Sequence, residues 1–384
     1  LLGASLLSSI AAAQDRVAPE AAFKDSVHAA AGLECVSCHK GQAAGGYTAI
    51  ARGSIATTCA SCHSDAAYMR KFDPQVRVDQ YAQYLTSAHG RAMQKGETRV
   101  ATCSDCHSSH AVVRVRDTRS PVAPLHAART CAQCHGDAER MKAFGKDAGV
   151  FTDWSSSVHA DALMKRGDTS APTCNTCHGS HGATPPGITE VANVCAQCHV
   201  REAENFKGGP KKAIFDGMGQ AECLVCHGNH AIKPPTHAMI GVTDGAVCAD
   251  CHDAGSNGAA TIKKFRDGLE GLTSAMSAAQ AVVDRAEHAG MLVEDGRLAL
   301  RDATEQYVQA RVAIHTFRDE PFVETAEKGR AAAGRAEQAG IAALAELQNR
   351  RRGLAVATVL IIGFLITLWL KIRRLPPPTA SEAD

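Results

Sequence analysis

The chain has 384 residues, with 41 Lys+Arg against 40 Asp+Glu and a formal net charge of +1. That balance excludes the broad basic surface of a nucleic-acid binder. Aromatic residues make up only 4% of the chain, while Gly reaches 33 residues, so ordinary side chains would struggle to bury a core.

From the start, residues 1–13 read as the apolar remnant of an export signal, with Ala11-Ala12-Ala13 before Gln14 as a small-residue cleavage site. Residues 14–257 then carry one motif eight times. C-x-x-C-H occurs at Cys35, Cys38 and His39; Cys59, Cys62 and His63; Cys103, Cys106 and His107; and Cys131, Cys134 and His135. It recurs at Cys174, Cys177 and His178; Cys195, Cys198 and His199; Cys223, Cys226 and His227; and Cys248, Cys251 and His252. These motifs absorb all 16 cysteines. Paired Cys-x-x-Cys also suits zinc ribbons, but zinc does not require the His that follows every pair. A disulfide framework predicts irregular spacing. C-x-x-C-H is the attachment signature of c-type haem: two thiols bond the vinyl groups and the adjacent imidazole ligates the iron. The expectation is eight covalently bound haem c groups, whose rings supply the missing apolar bulk. Their propionates would add up to about sixteen negative charges and turn the near-neutral chain acidic.

The chain has 18 histidines. Setting aside the eight motif histidines, and His288 and His315 further on, leaves His28, His89, His110, His126, His159, His181, His230 and His237. Eight spare imidazoles for eight irons predict bis-histidine ligation, with His126 and His237 set in surroundings unlike the rest. Two patterns recur. Ser-x-His precedes a motif at Ser26–His28, Ser87–His89 and Ser157–His159, and a His follows the motif His by three residues at His110, His181 and His230. A His so close behind a proximal ligand cannot easily turn back to the same iron, so it is expected to reach a neighbouring haem. The motifs read as four two-haem modules. The fourth lacks an upstream Ser-x-His, and His237 is the candidate to replace it.

Residues 258–352 change texture to Ala, Glu, Gln, Arg and Leu. Leu269, Leu272, Met276, Ala279, Val283, Ala286 and Ala289 recur at helical steps, and Pro321 marks a turn before a second helix from about Val323. A straight helix over 259–317 would run nearly 90 Å, against roughly 50 Å for 321–353, so a break near Gly290 or Gly296 is expected, giving a helical bundle. Residues 353–372 contain the uncharged run GLAVATVLIIGFLITLWL, close to the roughly 20 residues that span a bilayer, with Trp369 at its edge. Arg350, Arg351 and Arg352 precede the span and Lys371, Arg373 and Arg374 follow it, so charge alone does not orient it. Haem attachment outside the cytoplasmic membrane does, and leaves residues 373–384 as a cytoplasmic tail.

At Phe23 to Asp253 the chain resembles the multihaem cytochromes c with doubled C-x-x-C-H motifs, related to the class III tetrahaem type, through its CHGSH and CHGNH segments and upstream Ser-x-His. The resemblance implies low-potential, bis-histidine haems that pass single electrons. The expected fold is mainly α with extensive loops: a haem-packed octahaem domain, a long-helix bundle and one C-terminal transmembrane helix. The expected function is electron transfer from the bacterial inner membrane, with the haem domain in the periplasm and no catalytic residues. A quinol-oxidising or cytochrome b-type membrane subunit would be one partner, and a soluble cytochrome or reductase the other, in a complex or a homo-oligomer. The alternative is an octahaem enzyme acting on hydroxylamine or nitrite, which needs one haem with an open position.

Overall fold

The Ser-x-His elements are helix starts. In the computed structural model, which describes residues 18–43, 46–187 and 190–375, Ser26, Ser87 and Ser157 cap the helices Val27–Ala30, Ala88–Gln94 and Val158–Met164. Their hydroxyls accept from the N–H of Ala29 (3.1 Å), Gly90 (2.8 Å) and Ala160 (3.1 Å). Each satisfies one donor that a helix N-terminus leaves unpaired. All three serines are buried, and each places its histidine at the second helical position.

The motifs themselves fold by a second local rule. The first, third and fifth lie in short helices, Cys35–Cys38, Cys103–His107 and Cys174–His178, each opened by a capping box. The residue between the two cysteines returns to the cap: Ser37 accepts from Glu34 N–H (3.2 Å), Asp105 from Thr102 N–H (2.6 Å) and Thr176 from Thr173 N–H (3.1 Å). The motif's variable positions therefore pair the cap N–H at these three helices. The second and fourth motifs instead close longer helices, Ile55–His63 and Pro124–His135. Asp65 and Asp137, two residues beyond, cap the helices that follow.

The chain divides into two compact units, Leu1–Cys198 with Met218–Pro235, and His199–Gly217 with Thr236–Asp384. In the first, most buried apolar side chains are alanines, such as Ala56, Ala127, Ala128 and Ala160; Leu163 and Met141 are among the few large ones. Regular sheet among the described residues is one antiparallel pair, Gln42–Ala43 with Gly46–Tyr47. What ties the short helices together is a repeated backbone bond. The N–H that follows each capping serine donates to a loop far along the chain: Val27 to Val112 O (2.8 Å), Ala88 to Ala183 O (2.9 Å) and Val158 to Ile232 O (2.9 Å). Each acceptor lies two residues after His110, His181 or His230. The two histidine patterns are thus pinned to each other three times.

The second unit holds the helical bundle: Ala259–His288, Glu294–Ala313 and the 55-residue Asp319–Arg373. The expected break falls at Gly290, whose φ of +81° suits a residue without Cβ. Gly296 stays helical. A Cβ there would sit 2.9 Å from Val283 Cγ2, so its role is close helix packing. The second turn comes earlier than Pro321, at Phe317 with φ +52°. Pro321 lies in the first turn of the last helix, where its missing N–H costs nothing. The core runs from Phe265, Leu269 and Phe322 at one end to Val283, Ala303 and Ala336 at the other. Phe265 and Phe322 meet edge-on at 4.8 Å.

The last helix carries the apolar run out of the bundle. It is long and apolar enough to cross a membrane, and its apolar window has none of its residues buried. Arg373 lies over the Trp369 ring at 4.7 Å. The mainly helical, loop-rich fold with a bundle and a C-terminal apolar helix matches the sequence expectation. The proposed signal remnant, and the tail from residue 376 on, lie outside the described residues.

Candidate haem-binding site

Among the described residues of the first unit, five motif histidines are seen to face a second imidazole. His63 faces His28 at 6.0 Å between ring centres, His39 faces His110 at 6.1 Å, and His135 faces His89 at 6.0 Å. His107 faces His181 at 6.1 Å and His178 faces His230 at 6.0 Å. Two imidazole–metal bonds of about 2.0–2.1 Å, with about 1.1 Å from each nitrogen to its ring centre, require close to this separation. The rings are too far apart for a direct hydrogen bond, and an iron between them fits.

The assignment follows a rule. His28 and His89, from the Ser-x-His helices, face the second motif of their own modules. His110, His181 and His230 reach back two motifs, to the first histidine of the preceding module. What turns the chain there is reversed backbone directly after the motif His: Ser108, Gly179 and Gly228 have φ of +68°, +80° and +71°. The sequence leads one to expect that these histidines serve a neighbouring haem, and in the structure each faces the motif histidine two motifs back.

Hydrogen bonding orients two of the motif rings. His39 Nδ1 lies 2.8 Å from Thr48 O and His178 Nδ1 lies 3.3 Å from Thr184 O. A proton on Nδ1 donated to a carbonyl leaves Nε2 as the ligating nitrogen. Burial lowers the pKa of His63, His107, His135 and His181. Burial, aided by the paired motif histidine, also lowers those of His28, His89 and His230. Each shift favours the neutral imidazole that binds iron.

The cysteines run through space in the order they occupy in the chain. Cys59 hydrogen-bonds Cys103, Cys131 hydrogen-bonds Cys174 and Cys223 hydrogen-bonds Cys195. In each pair the hydrogen bond, then burial, pushes the first thiol up. The same bond holds Cys103, Cys174 and Cys195 down to about 7. Between these contacts, burial and then neighbouring thiols raise Cys38 beside Cys62 and Cys177 beside Cys195 and Cys198. Burial, then Asp105, Cys103 and Cys134, pushes Cys106 up to about 11. Thioether bonds would abolish these titrations, but the proximity that causes them links the first seven motifs in sequence.

His126 and His237 are held differently. His126 points Nε2 at Thr118 O, 3.0 Å away. His237 points Nε2 at Tyr307 Oη, 3.2 Å away, and packs edge-on against that ring. Neither geometry places an imidazole opposite a motif histidine, and the spacing of the sequence carried no sign of Thr118 or Tyr307. His159 sits at the second position of its Ser157-capped helix, His199 precedes the helix Val200–Gly208, and His227 ends the helix Glu222–His227. His315, set apart by its place among the long helices, has Nδ1 3.2 Å from Val312 O. Its pKa is lowered by burial first, with His199 among the smaller causes.

The eighth motif differs from the five whose histidines face a ring. It lies in the 3-10 turn Val247–Asp250, and His252 Nε2 faces not a ring but Lys211 Nζ at 2.8 Å. Motif spacing alone offers no reason to single out Lys211.

Two family models match parts of the chain. The family Cytochrome c3 matches residues 27–120 and the Doubled CXXCH motif matches residues 166–204. No curated protein and no solved structure matches the chain. The first match spans three motifs with His28, His89 and His110; the second spans two motifs with His181. Together the motifs and both matches support a multihaem c-type cytochrome with covalently bound haem c.

Proposed function

We propose that the chain is a membrane-anchored octahaem cytochrome that conducts single electrons through a row of six-coordinate haems. The observation that carries this reading is the set of five imidazole pairs, each spaced for an iron, strung along cysteines that neighbour one another in chain order. An iron held on both faces by imidazole has no position for substrate, and haems attached at adjacent cysteine pairs lie close enough to exchange electrons. The protein sets each potential through axial ligand, hydrogen bonding and burial. His39 and His178, with carbonyl-bound Nδ1, are held as stronger donors.

The apolar window of the last helix supports a single membrane anchor, with the haem domain on the periplasmic face and a quinol-oxidising or cytochrome b-type subunit as electron donor. A soluble cytochrome or reductase would be the acceptor. The alternative, an enzyme of the hydroxylamine or nitrite type with one open haem, draws support from His126 and His237, which are held by other groups.

Intact-mass measurement of the purified protein is the test. Eight haem masses above the polypeptide are expected; a polypeptide carrying zinc instead refutes the reading. Protease applied to intact spheroplasts should digest the haem domain, and protection of the haems would reverse the orientation.

A further inference from the structure

We propose that Lys211 is the distal axial ligand of the haem attached at Cys248 and Cys251, making that centre an amine–imidazole haem among imidazole–imidazole ones. The inference rests on the reading that the eighth motif carries haem.

The hydrogen-bond chain around His252 assigns its tautomer. Ser256 Oγ donates its only proton to Asp253 O (2.8 Å). Toward His252 Nδ1, at 3.2 Å, the same hydroxyl can therefore only accept, so Nδ1 carries the proton. Nε2 then presents its lone pair, as the proximal nitrogen of a haem does. The group facing that lone pair is the amine of Lys211, at 2.8 Å. An iron between them needs about 4 Å, from two bonds of about 2.0–2.1 Å. The flexible four-carbon stem of lysine can supply the extra length, and ligation by the neutral amine releases the ammonium proton to solvent. Lys211 begins the helix Lys211–Met218, and its amine lies 5.8 Å from the centre of the Phe317 ring. Phe317 in turn packs edge-on against Phe206. The His252 ring is packed closely on another side: a Cβ on Gly258 would lie 2.8 Å from His252 Cε1.

The repeat gives an independent argument. In the first two modules the element upstream of the first motif supplies the group facing the second motif's histidine: His28 faces His63 and His89 faces His135. Those histidines precede their modules' first cysteine by 7 and 14 residues. Lys211 precedes Cys223 by 12 residues and faces His252, the second histidine of the fourth module. It fills the slot left by the missing Ser-x-His, a place His237 does not take because Tyr307 holds it.

The test uses full-length holoprotein in detergent, with near-infrared magnetic circular dichroism to sort ferric haems by axial ligand and peptide mass analysis to locate haem. The wild type should show one amine–imidazole haem per chain. Lys211→Ala and Lys211→Arg should each remove that band and turn one haem high-spin, the others unchanged. Arginine is the informative replacement: it keeps the charge and can still donate to His252, but it stays protonated and cannot ligate. Lys211→His should restore a low-spin haem with the imidazole–imidazole signature. A wild type lacking the amine–imidazole band, or an arginine variant that keeps it, overturns the proposal. Absence of haem from the Cys248–Cys251 peptide overturns both the ligand and the count of eight, whereas haem there with two imidazoles overturns the ligand alone.

Discussion

Replacing Ser87 by alanine tests whether the helix caps hold the distal histidines in place. Ser87 ends the helix Gln80–Thr86 and starts Ala88–Gln94, and it is fully buried. Its hydroxyl donates to Tyr84 O (2.6 Å) and accepts from Gly90 N–H (2.8 Å). In Ser87→Ala the Tyr84 carbonyl keeps the backbone N–H of residue 87 at 3.0 Å, so that acceptor stays paired. The Gly90 N–H loses its partner in a site with no access for water, which costs about 1–3 kcal/mol. The usual loss for an N-cap, about 0.5–2 kcal/mol, falls in the same range. Repacking offers little relief, because Gly90 is already tight: a Cβ there would lie 1.9 Å from Tyr84 O. A loss of about 2 kcal/mol should lower the thermal midpoint of a unit this size by about 4–8 °C. His89 is two residues from the cap, so the haem shared with His135 should change its paramagnetic-resonance signal before the other haems do. The assay follows that signal and the low-spin absorption against temperature. An unchanged midpoint with an unchanged signal would refute the reasoning.

His181→Ala should turn high-spin the haem of Cys103 and Cys106, more than seventy residues upstream, while the haem of Cys174 and Cys177 next to it stays low-spin; peptide-resolved spectra of the variant check this. Ser108→Gly should stabilise the first unit by about 1–3 kcal/mol, because φ +68° with ψ 164° is a glycine conformation, and a higher thermal midpoint is the readout. Gly268→Leu should destabilise the bundle by about 1–3 kcal/mol or more, since even a Cβ there falls 2.6 Å from Phe322 Cε1; helical circular dichroism on heating detects it.

Legibility in the sequence followed the range of the interaction. C-x-x-C-H, Ser-x-His and the His three residues on are local signatures, because haem attachment and helix capping act within a few residues. The bundle was legible in its helical period, and Gly290 as its break, because a helix too long for its partner has to turn. The ends of Lys211 and His252, 41 residues apart, meet only through the fold. The same holds for His237 and Tyr307, 70 residues apart. Counting histidines gave eight spare imidazoles for eight irons, but a count does not register that Thr118 and Tyr307 hold two of them. The pairing of His110 with His39 shows the same limit: spacing disfavours the near iron, and the reversed backbone at Ser108 with the Val27–Val112 bond brings His110 to His39.

The central proposal is that no haem is open to substrate, and it rests on the five imidazole pairs and the Lys211–His252 contact. Quantifying spin states in the ferric protein as purified tests it most directly. Low-spin haem throughout, with no high-spin component, is the expected result. A high-spin signal equal to one haem per chain, together with consumption of nitrite or hydroxylamine, would contradict it.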